Sequence, residues 1–145
     1  MTSEVLTISK YLPYRLAVVS RKLSLALENT YGEKYGLSRP EWRTLALLQE
    51  KQVSTGAELA AMSGMDPVAI HRAIKGLEQK QLIKREALEG DARAKSVSLT
   101  SQGQKVFREI APHALVLEKK LLDLLGPANA KAFAKAMEVL VNADL

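Results

Sequence analysis

Apolar side chains recur every three or four residues over most of the chain, which is the spacing of amphipathic helices. The first run alternates spacings of four and three residues and predicts a helix from about Ser9 to Tyr31 with a narrow apolar seam. Pro13 falls in its first turn, where the missing N–H is harmless, and Gly32 and Gly36 are expected to bracket the turn that follows. The seam consists of Leu12, Leu16, Val19, Leu23, Ala26 and Thr30.

Three shorter helices are predicted next, and each begins with a capping signal. Ser38 with Glu41, and Thr55 with Glu58, have the spacing of a capping box, in which each side chain binds the other residue's backbone amide. Asp66 is followed by proline, which combines a good N-cap residue with a favoured first helical residue. The helices are expected over residues 38–51, 55–63 and 66–81.

The pattern changes from helical to alternating after these helices. Residues 82–86 and 96–100 predict two strands, and the second strand places Val97 and Leu99 inward. A loop over residues 87–95 joins them and contains Gly-Asp-Ala-Arg at 90–93. Helix, turn, helix and basic hairpin in this order indicate a winged helix-turn-helix, a shape that enters DNA grooves. The predicted fold class is therefore mainly α with a small two-stranded β wing.

The two ends of the chain are more apolar than one small core requires. Thr100 is predicted to cap a helix that reaches about residue 125 with a kink near Pro112, and a last helix is expected over residues 128–141. Several faces of these helices are apolar, so we expect residues 1–36 and 101–145 to form a homodimer around DNA-binding domains of residues 37–100. The alternative is that the terminal helices cover their own core. The apolar positions are Leu115, Leu117, Leu121, Leu122, Leu124, Leu125, Phe133, Met137, Leu140 and Val141.

Positive charge is concentrated around the hairpin. The 145 residues include 21 Lys and Arg against 16 Asp and Glu, and residues 67–108 alone hold nine against four. A localised basic patch favours a polyanionic partner, and a solvated surface is the alternative.

Some residue types and patterns are missing, which limits the function. The chain has no cysteine, which fits a reducing compartment and removes thiol sensing and Cys-ligated zinc. No signal-peptide pattern and no run of about 18 apolar residues occurs, so we expect a cytoplasmic protein without a membrane partner. Two histidines 42 residues apart, with no Gly-rich phosphate loop and no clustered carboxylates, leave no catalytic site. No metal or cofactor is expected.

The helix over residues 66–81 has the features of a DNA-reading helix. Its predicted buried stripe consists of Ile70, Ile74 and Leu77. Among the outward residues, Arg72 is expected to donate two hydrogen bonds to guanine, His71 to donate to guanine or phosphate, and Lys75 to contact phosphate. The residues expected to make apolar contacts with thymine methyl groups are Pro67, Val68 and Ala69. The alternative is an ordinary polar helix face.

The hairpin supplies four further cations, Lys84, Arg85, Arg93 and Lys95. Arg93 lies at a Gly-containing tip and is expected to reach a narrow minor groove, where A·T tracts concentrate negative potential. Asp91 has the wrong charge for phosphate contact, so we expect it to hold Arg93 or a helix N-terminus and thereby to orient the tip. The alternative is a surface ion pair that contributes little.

These segments together resemble the MarR (multiple antibiotic resistance regulator) family. The wing signature of that family, an Asp-x-Arg loop and then a Val-x-Leu-Thr strand, is similar to Glu89-Gly-Asp-Ala-Arg93 followed by Ser96-Val-Ser-Leu-Thr100. Gly36-Leu-Ser-Arg-Pro-Glu-Trp-Arg-Thr-Leu45 resembles the opening of the family's second helix, and shorter matches occur at 58–60 and 77–83. The resemblance covers the chain from Leu12 to the last helix.

The resemblance also implies partners and site residues. It implies an obligate dimer that binds a near-palindromic double-stranded operator, and a pocket for a small aromatic or phenolic acid between the dimer helices and the winged lobe. The residues carried over are Val68, Ala69, His71 and Arg72 for recognition, with Asp91 and Arg93 in the wing. Pro67 and His71 depart from the basic or small polar residues usual in the family, and the lack of cysteine excludes its peroxide-sensing mode.

An aromatic acid requires an apolar slot with one cation for its carboxylate. Either Arg15 or Arg43 is expected to supply that cation. The alternative places Trp42 and Tyr14 in the core and the arginines at the surface. The aromatic and cationic candidates on the relevant helices are Tyr11, Tyr14, Arg15, Trp42, Arg43 and His113.

The sequence thus predicts a transcriptional regulator that represses a neighbouring operon until a small ligand changes the spacing of its two reading helices. The rival hypothesis is a winged helix used only for protein contact. Such a domain would not need positive charge concentrated on the reading surface.

Overall fold

The computed structural model of the chain describes residues 4–88 and 90–145, with the backbone alone for residues 91–94. A short 3₁₀ helix, Ile8–Lys10, precedes the other elements. The helices are α1 (Leu12–Tyr35), α2 (Arg39–Lys51), α3 (Gly56–Ser63), α4 (Pro67–Gln79), α5 (Ser101–Leu125) and α6 (Pro127–Val141). The strands are β1 (Val53–Thr55), β2 (Ile83–Leu88) and β3 (Asp91–Leu99). The mainly helical fold with a small sheet is confirmed.

The helix starts follow the capping signals in the sequence. The Ser38 hydroxyl accepts a hydrogen bond from the Glu41 amide at 3.2 Å, and the Glu41 carboxylate accepts one from the Ser38 amide at 3.0 Å. Asp66 Oδ1 accepts a hydrogen bond from an amide in the first turn of α4 at 2.7 Å. Thr55 and Thr100 cap α3 and α5 in the same way. These bonds satisfy amides that a helix leaves unpaired at its N-terminus.

The bounds of α1 differ from the prediction at both ends. The helix begins only at Leu12 and continues through Gly32 to Tyr35. Gly36 ends it in the left-handed conformation, with φ of +64°. A glycine inside a helix has a modest cost, whereas a left-handed position strongly favours glycine, so Gly36 alone ends the helix.

The sheet has three strands, one more than predicted. Its order is β1-β3-β2, and both pairings are antiparallel. The unpredicted strand β1 pairs Val53 with Ser98, and much of the expected loop over residues 87–95 is strand, with Ala87 opposite Lys95. Residues 53–55 form a strand by pairing with β3, more than 40 residues away, so this segment gave no local alternating signal. The register shifts between Ala87 and Leu88, near the wing tip.

A single hydrophobic core joins the sheet to α2, α4 and the adjoining ends of α1 and α5. Val97 and Leu99 point into it, as predicted, with 2% and 8% of their surfaces exposed. Pro112 lies inside α5, and the predicted kink there stays a prediction. No residue of α6 is buried. In the described part of the chain, no helix combines the length and the apolar character that crossing a membrane requires.

Candidate nucleic-acid interface

Helix α4 separates its packing residues from its exposed residues cleanly. The predicted buried stripe is confirmed, and Ala73 joins it. With 3.6 residues per turn, Val68, Arg72 and Lys75 lie on the opposite side of the helix, and all three are exposed. Ala69 is half-buried at the border. The sequence therefore identified the outward face of α4 correctly.

His71 and Arg72 are neighbours in sequence but lie beside different depressions of the surface. His71 and Pro67 line a hollow of about 670 Å³ between α3, α4 and the sheet, called the wing hollow below. Arg72 lines a hollow of about 350 Å³ between α4 and the start of α2, called the α2 hollow below. One step along the helix rotates a side chain by about 100°, which sends the two residues to opposite flanks of α4.

The wing hollow brings together cations from the sheet and the N-terminus of a helix. Arg85 and Lys95 enter it from β2 and β3, and Thr55 and Gly56 enter it from the start of α3. Helix N-termini carry partial positive charge. Arg85, Lys95 and the start of α3 therefore all favour an anion in this hollow. The start of α3 was not anticipated as part of the site, because its approach to the wing depends on tertiary packing.

The wing cations do not all face the same way. Strand alternation turns Arg85 inward, where 28% of its side chain is exposed, and Arg85 Nε lies 2.8 Å from Glu78 Oε2 of α4. The contact is an ion pair rather than a hydrogen bond, because Nε has no hydrogen-bond partner. Lys84 lies on the other face of the strand, 3.6 Å from Glu86, and both are exposed. Arg85 therefore joins the wing to α4, in addition to the contact role predicted for it.

Asp91 and Arg93 belong to β3, and their side chains lie outside the described residues. The role predicted for this pair stays a prediction. Lys95, the last of the predicted wing cations, is described and exposed.

The predicted ligand-binding residues divide into two groups. Trp42 and Arg43 line a hollow of about 200 Å³ between α1 and α2, called the aromatic hollow below. Tyr31 and Arg39 also line it, and sequence reasoning missed both. Their approach depends on the crossing of α1 and α2, which leaves no local signal. The predicted residues that do not line it are Tyr11, Tyr14, Arg15 and His113, which are exposed on α1, α5 and the segment before α1.

Aromatic stacking and ion pairs shape the aromatic hollow. The Trp42 ring stacks between Tyr31 and Phe107, with ring centroids 5.9 and 5.8 Å apart. Arg43 Nη2 donates to the Ser24 hydroxyl at 3.2 Å. Burial, and then the Glu28 carboxylate, raises the pKa of the Tyr31 hydroxyl. Trp42 therefore serves the core and the hollow at once, and Arg43 remains a cation at the wall of the hollow.

The other cation that lines the aromatic hollow, Arg39, is already paired. Arg39 Nη2 lies 3.0 Å from Glu28 Oε2, an ion pair that joins the first turn of α2 to α1. The side chains of both residues are about one-third exposed, at 32% and 38%.

The winged helix-turn-helix, with a capped outward-facing α4 beside a basic wing, defines a protein of the DNA-binding regulator class. A sequence model of the MarR family matches residues 35–94, and this match supports the resemblance to that family found in the sequence. The HTH-type transcriptional repressor Rv2887 of Mycobacterium tuberculosis is 26% identical over 131 residues, which cover 90% of this chain and 91% of the relative. The family consists of transcriptional regulators, so the prediction that the chain is not an enzyme is confirmed.

Solved structures share the fold along nearly the whole chain. A MarR-family regulator from Silicibacter pomeroyi has a TM-score of 0.79 at 25% identity, covering 99% of this chain and 98% of that one. Sco3205 from Streptomyces coelicolor, solved in complex with DNA, has a TM-score of 0.80 at 22% identity, covering 95% and 89%. BpsR from Bordetella bronchiseptica, whose DNA binding is regulated by 6-hydroxynicotinic acid, has a TM-score of 0.85 at 18% identity, covering 97% and 100%. The last two likenesses concern the fold alone.

Proposed function

We propose that the protein is a cytoplasmic, homodimeric repressor that reads a near-palindromic operator with α4 and is released by a small aromatic acid. The observation that carries this proposal is the outward line of Val68, Arg72 and Lys75 beside the cationic wing hollow. A line of this kind suits the major groove, because Arg72 can donate to guanine while Val68 contacts a thymine methyl group.

The wing hollow suits the DNA backbone between two grooves. When α4 lies in a major groove and the wing in the adjacent minor groove, one phosphate strand passes between them. Arg85 and Lys95 are the cations on that path, and the His71 imidazole can donate a hydrogen bond there. Their contacts would position the protein without reading sequence. Sco3205, which shares this fold, was solved with DNA, and this supports the same use of the fold here.

Unburied apolar surface supports a homodimer. Helices α1 and α5 pack together and α5 packs on α6, yet all three keep large apolar side chains exposed. Exposed apolar surface of this extent marks an interaction site, and a near-palindromic operator requires a two-fold protein. The partner is therefore a second copy of the chain. The most exposed of these side chains are Leu12, Leu115, Val116, Leu124, Val139 and Val141.

The aromatic hollow suits an aromatic acid. Trp42 and Tyr31 offer ring surfaces, and Arg43 offers a cation to a carboxylate at the wall. A ligand there would press between α1, which belongs to the dimerisation region, and α2, which belongs to the winged lobe. It would favour a different angle between the two and so a different spacing of the α4 helices. BpsR, which is regulated by such an acid, supports this class of ligand.

The test of DNA binding is the affinity for duplex DNA as a function of salt. A dimer that neutralises roughly six to ten phosphates should lose about three to five decades of affinity between about 50 and 200 mM salt. A winged helix used only for protein contact would show no such dependence. For the ligand, aromatic acids should quench Trp42 fluorescence in the wild type and lose affinity in Arg43→Ala, with Arg15→Ala as the charge-matched control.

A further inference from the structure

Glu41 is the only charged residue that is buried among those whose side chains the structure describes, with 7% of its surface exposed. It lies in the first turn of α2, and its two carboxylate oxygens accept from different partners. Oε1 accepts from the Ser38 amide at 3.0 Å, and Oε2 accepts from Lys80 Nζ at 2.6 Å. Lys80 is the C-cap residue of α4. A single carboxylate thus joins the start of α2 to the end of the DNA-reading helix.

The two helices also approach closely at Gly76 of α4. A methyl group at Gly76 would lie 2.6 Å from Glu41 Oε2 and 3.1 Å from Glu41 Cδ. The carboxylate cannot swing aside without breaking its bonds to Ser38 and Lys80. Gly76 therefore allows α4 to lie directly on the carboxylate that holds its end.

Lys80 also reaches the end of α1. Its Cε is 4.0 Å from the position that a side chain at Gly36 would take, and Gly36 is the residue that ends α1. The ion pair consequently lies where α1, α2 and α4 meet. Glu41, Gly76 and Lys80 line the α2 hollow together with Arg72.

We propose that Glu41 and Lys80 are positioning residues for DNA reading, an inference that rests on the proposed function. Their ion pair fixes the tilt of α4 on α2 and hence the direction in which Arg72 and Lys75 meet the groove. An unpaired charge at a buried site is costly, so α4 cannot slide along α2 while the carboxylate stays there. Helix α4 is thereby held in one orientation relative to the helices of the proposed dimerisation region.

The test uses the full-length protein and a duplex that the wild type selects from random-sequence DNA, with a scrambled duplex for comparison. Lys80→Met should lower the ratio of the two affinities by about ten-fold, the size of a typical coupling between linked sites. Lys80→Arg should restore the ratio, because it returns the cation. Glu41→Gln should act like Lys80→Met while keeping the capping box, in which glutamine also serves.

Gly76→Ala gives an independent arm, because it changes the packing and no charge. It should lower the ratio as well, and inserting or removing one base pair between the half-sites should weaken this variant less than the wild type. The matched control is Lys119→Met, which removes a similarly short ion pair with Asp123 at 2.8 Å on the exposed face of α5. That control should leave the ratio unchanged.

Two results would overturn the inference. If Lys80→Met and Glu41→Gln melt at lower temperature but keep the wild-type ratio, the pair serves stability alone. If Lys80→Arg fails to restore the ratio in a protein that folds and dimerises, the cation does not set the geometry. A wild type that selects no duplex would instead reject the proposed function, and that result is known before any variant is compared.

Discussion

Gly103 lies directly against the Leu82 carbonyl group, so closely that a methyl group at Gly103 would be 2.0 Å from the Leu82 oxygen. The same corner is hydrogen-bonded, because Leu82 O accepts from the Thr100 amide at 3.0 Å and Gln81 O accepts from the Thr100 hydroxyl at 2.7 Å. The start of α5 and the turn after α4 therefore form one rigid backbone contact.

Gly103→Ala should destabilise the protein by about 1–3 kcal/mol or more, because the clashing atom belongs to the backbone and cannot move aside. Urea denaturation of the variant and wild type measures this. Gly32→Ala is the matched control, since its added methyl group meets nothing nearer than 4.0 Å inside a helix. It should stabilise by roughly 0.5–1 kcal/mol. Equal effects of the two substitutions on stability would contradict the close contact between Gly103 and the Leu82 carbonyl group.

Thr44→Val should raise stability by about 1 kcal/mol. Thr44 is fully buried in α2, and its hydroxyl has no hydrogen-bond partner. An unsatisfied buried hydroxyl costs about 1–3 kcal/mol, and valine removes it with little change of shape. Thr44→Ser, which keeps the hydroxyl and loses the methyl group, should be less stable than the wild type. A destabilised Thr44→Val protein in a thermal melt would show that the hydroxyl is satisfied in solution.

The hydrogen bond from the Tyr35 hydroxyl to Glu109 should make stability depend on pH. This bond is the main cause that raises the pKa of Tyr35 above its ordinary 10.0 and lowers the pKa of Glu109 below its ordinary 4.5. The bond therefore contributes fully to the free energy of unfolding between about pH 4.5 and 10. It is lost as the pH falls through the lowered pKa of Glu109 and as it rises through the raised pKa of Tyr35.

Tyr35→Phe should accordingly melt at lower temperature than the wild type near neutral pH, and the gap should close in acid. Thermal melts at about pH 3, 5 and 7 measure this. A gap of constant size across that range would mean that packing of the ring, rather than the bond to Glu109, causes the difference. The bond lies at an exposed site, so the gap should be small.

Arg72→Ala and Lys75→Ala should affect DNA binding differently. Arg72→Ala should lose about 1–3 kcal/mol of discrimination between the selected and scrambled duplexes, because the proposed function has Arg72 donating to guanine. Lys75→Ala should weaken both complexes equally, because a contact with phosphate carries no sequence information. The measurement is the affinity of each variant for both duplexes at one fixed salt concentration. The ratio of these two affinities is then compared between the two variants. The opposite pattern would mean that α4 is rotated by about one residue in the groove, with His71 as the reader.

The protein should sediment as a species of twice 15.9 kDa at micromolar concentration. Removal of residues 126–145 should abolish that dimer and leave a folded winged lobe, because α6 contributes no residue to the core. Circular dichroism checks the fold of the shortened chain. A stable wild-type monomer, or a dimer that survives the deletion unchanged, would contradict the homodimer.

Local signals predicted much of this fold. Ser38, Asp66 and Thr100 mark helix starts because a capping side chain acts on amides two or three residues away. The buried stripe of α4 follows from helical spacing in the same way. Strand β1 could not be found, because three residues that pair with β3 across more than 40 positions carry no pattern of their own.

The outward face of α4 was predicted from the sequence, and so were single residues of the hollows such as Arg85 and Trp42, but the way in which distant segments meet around them was not. The wing hollow needs the start of α3 beside Arg85, and the bridge between Glu41 and Lys80 spans 39 residues. The aromatic hollow depends on how α1 crosses α2, so Tyr31 and Arg39 gave no signal. Each of these sites forms where segments far apart in the sequence pack together. Such packing leaves no pattern within a short stretch of sequence.

The exposed residues and the packing residues of α4 are different residues, and this has a consequence for how such proteins diverge in evolution. Val68, His71 and Arg72 project away from the core, so replacing them opens no cavity and leaves no buried group unpaired. Gly76 and Leu77 on the same helix allow no such exchange. Under the proposed function, a duplicated gene can therefore acquire a new target through a few surface substitutions at little cost in stability, while the residues that hold the helix in place stay as they are.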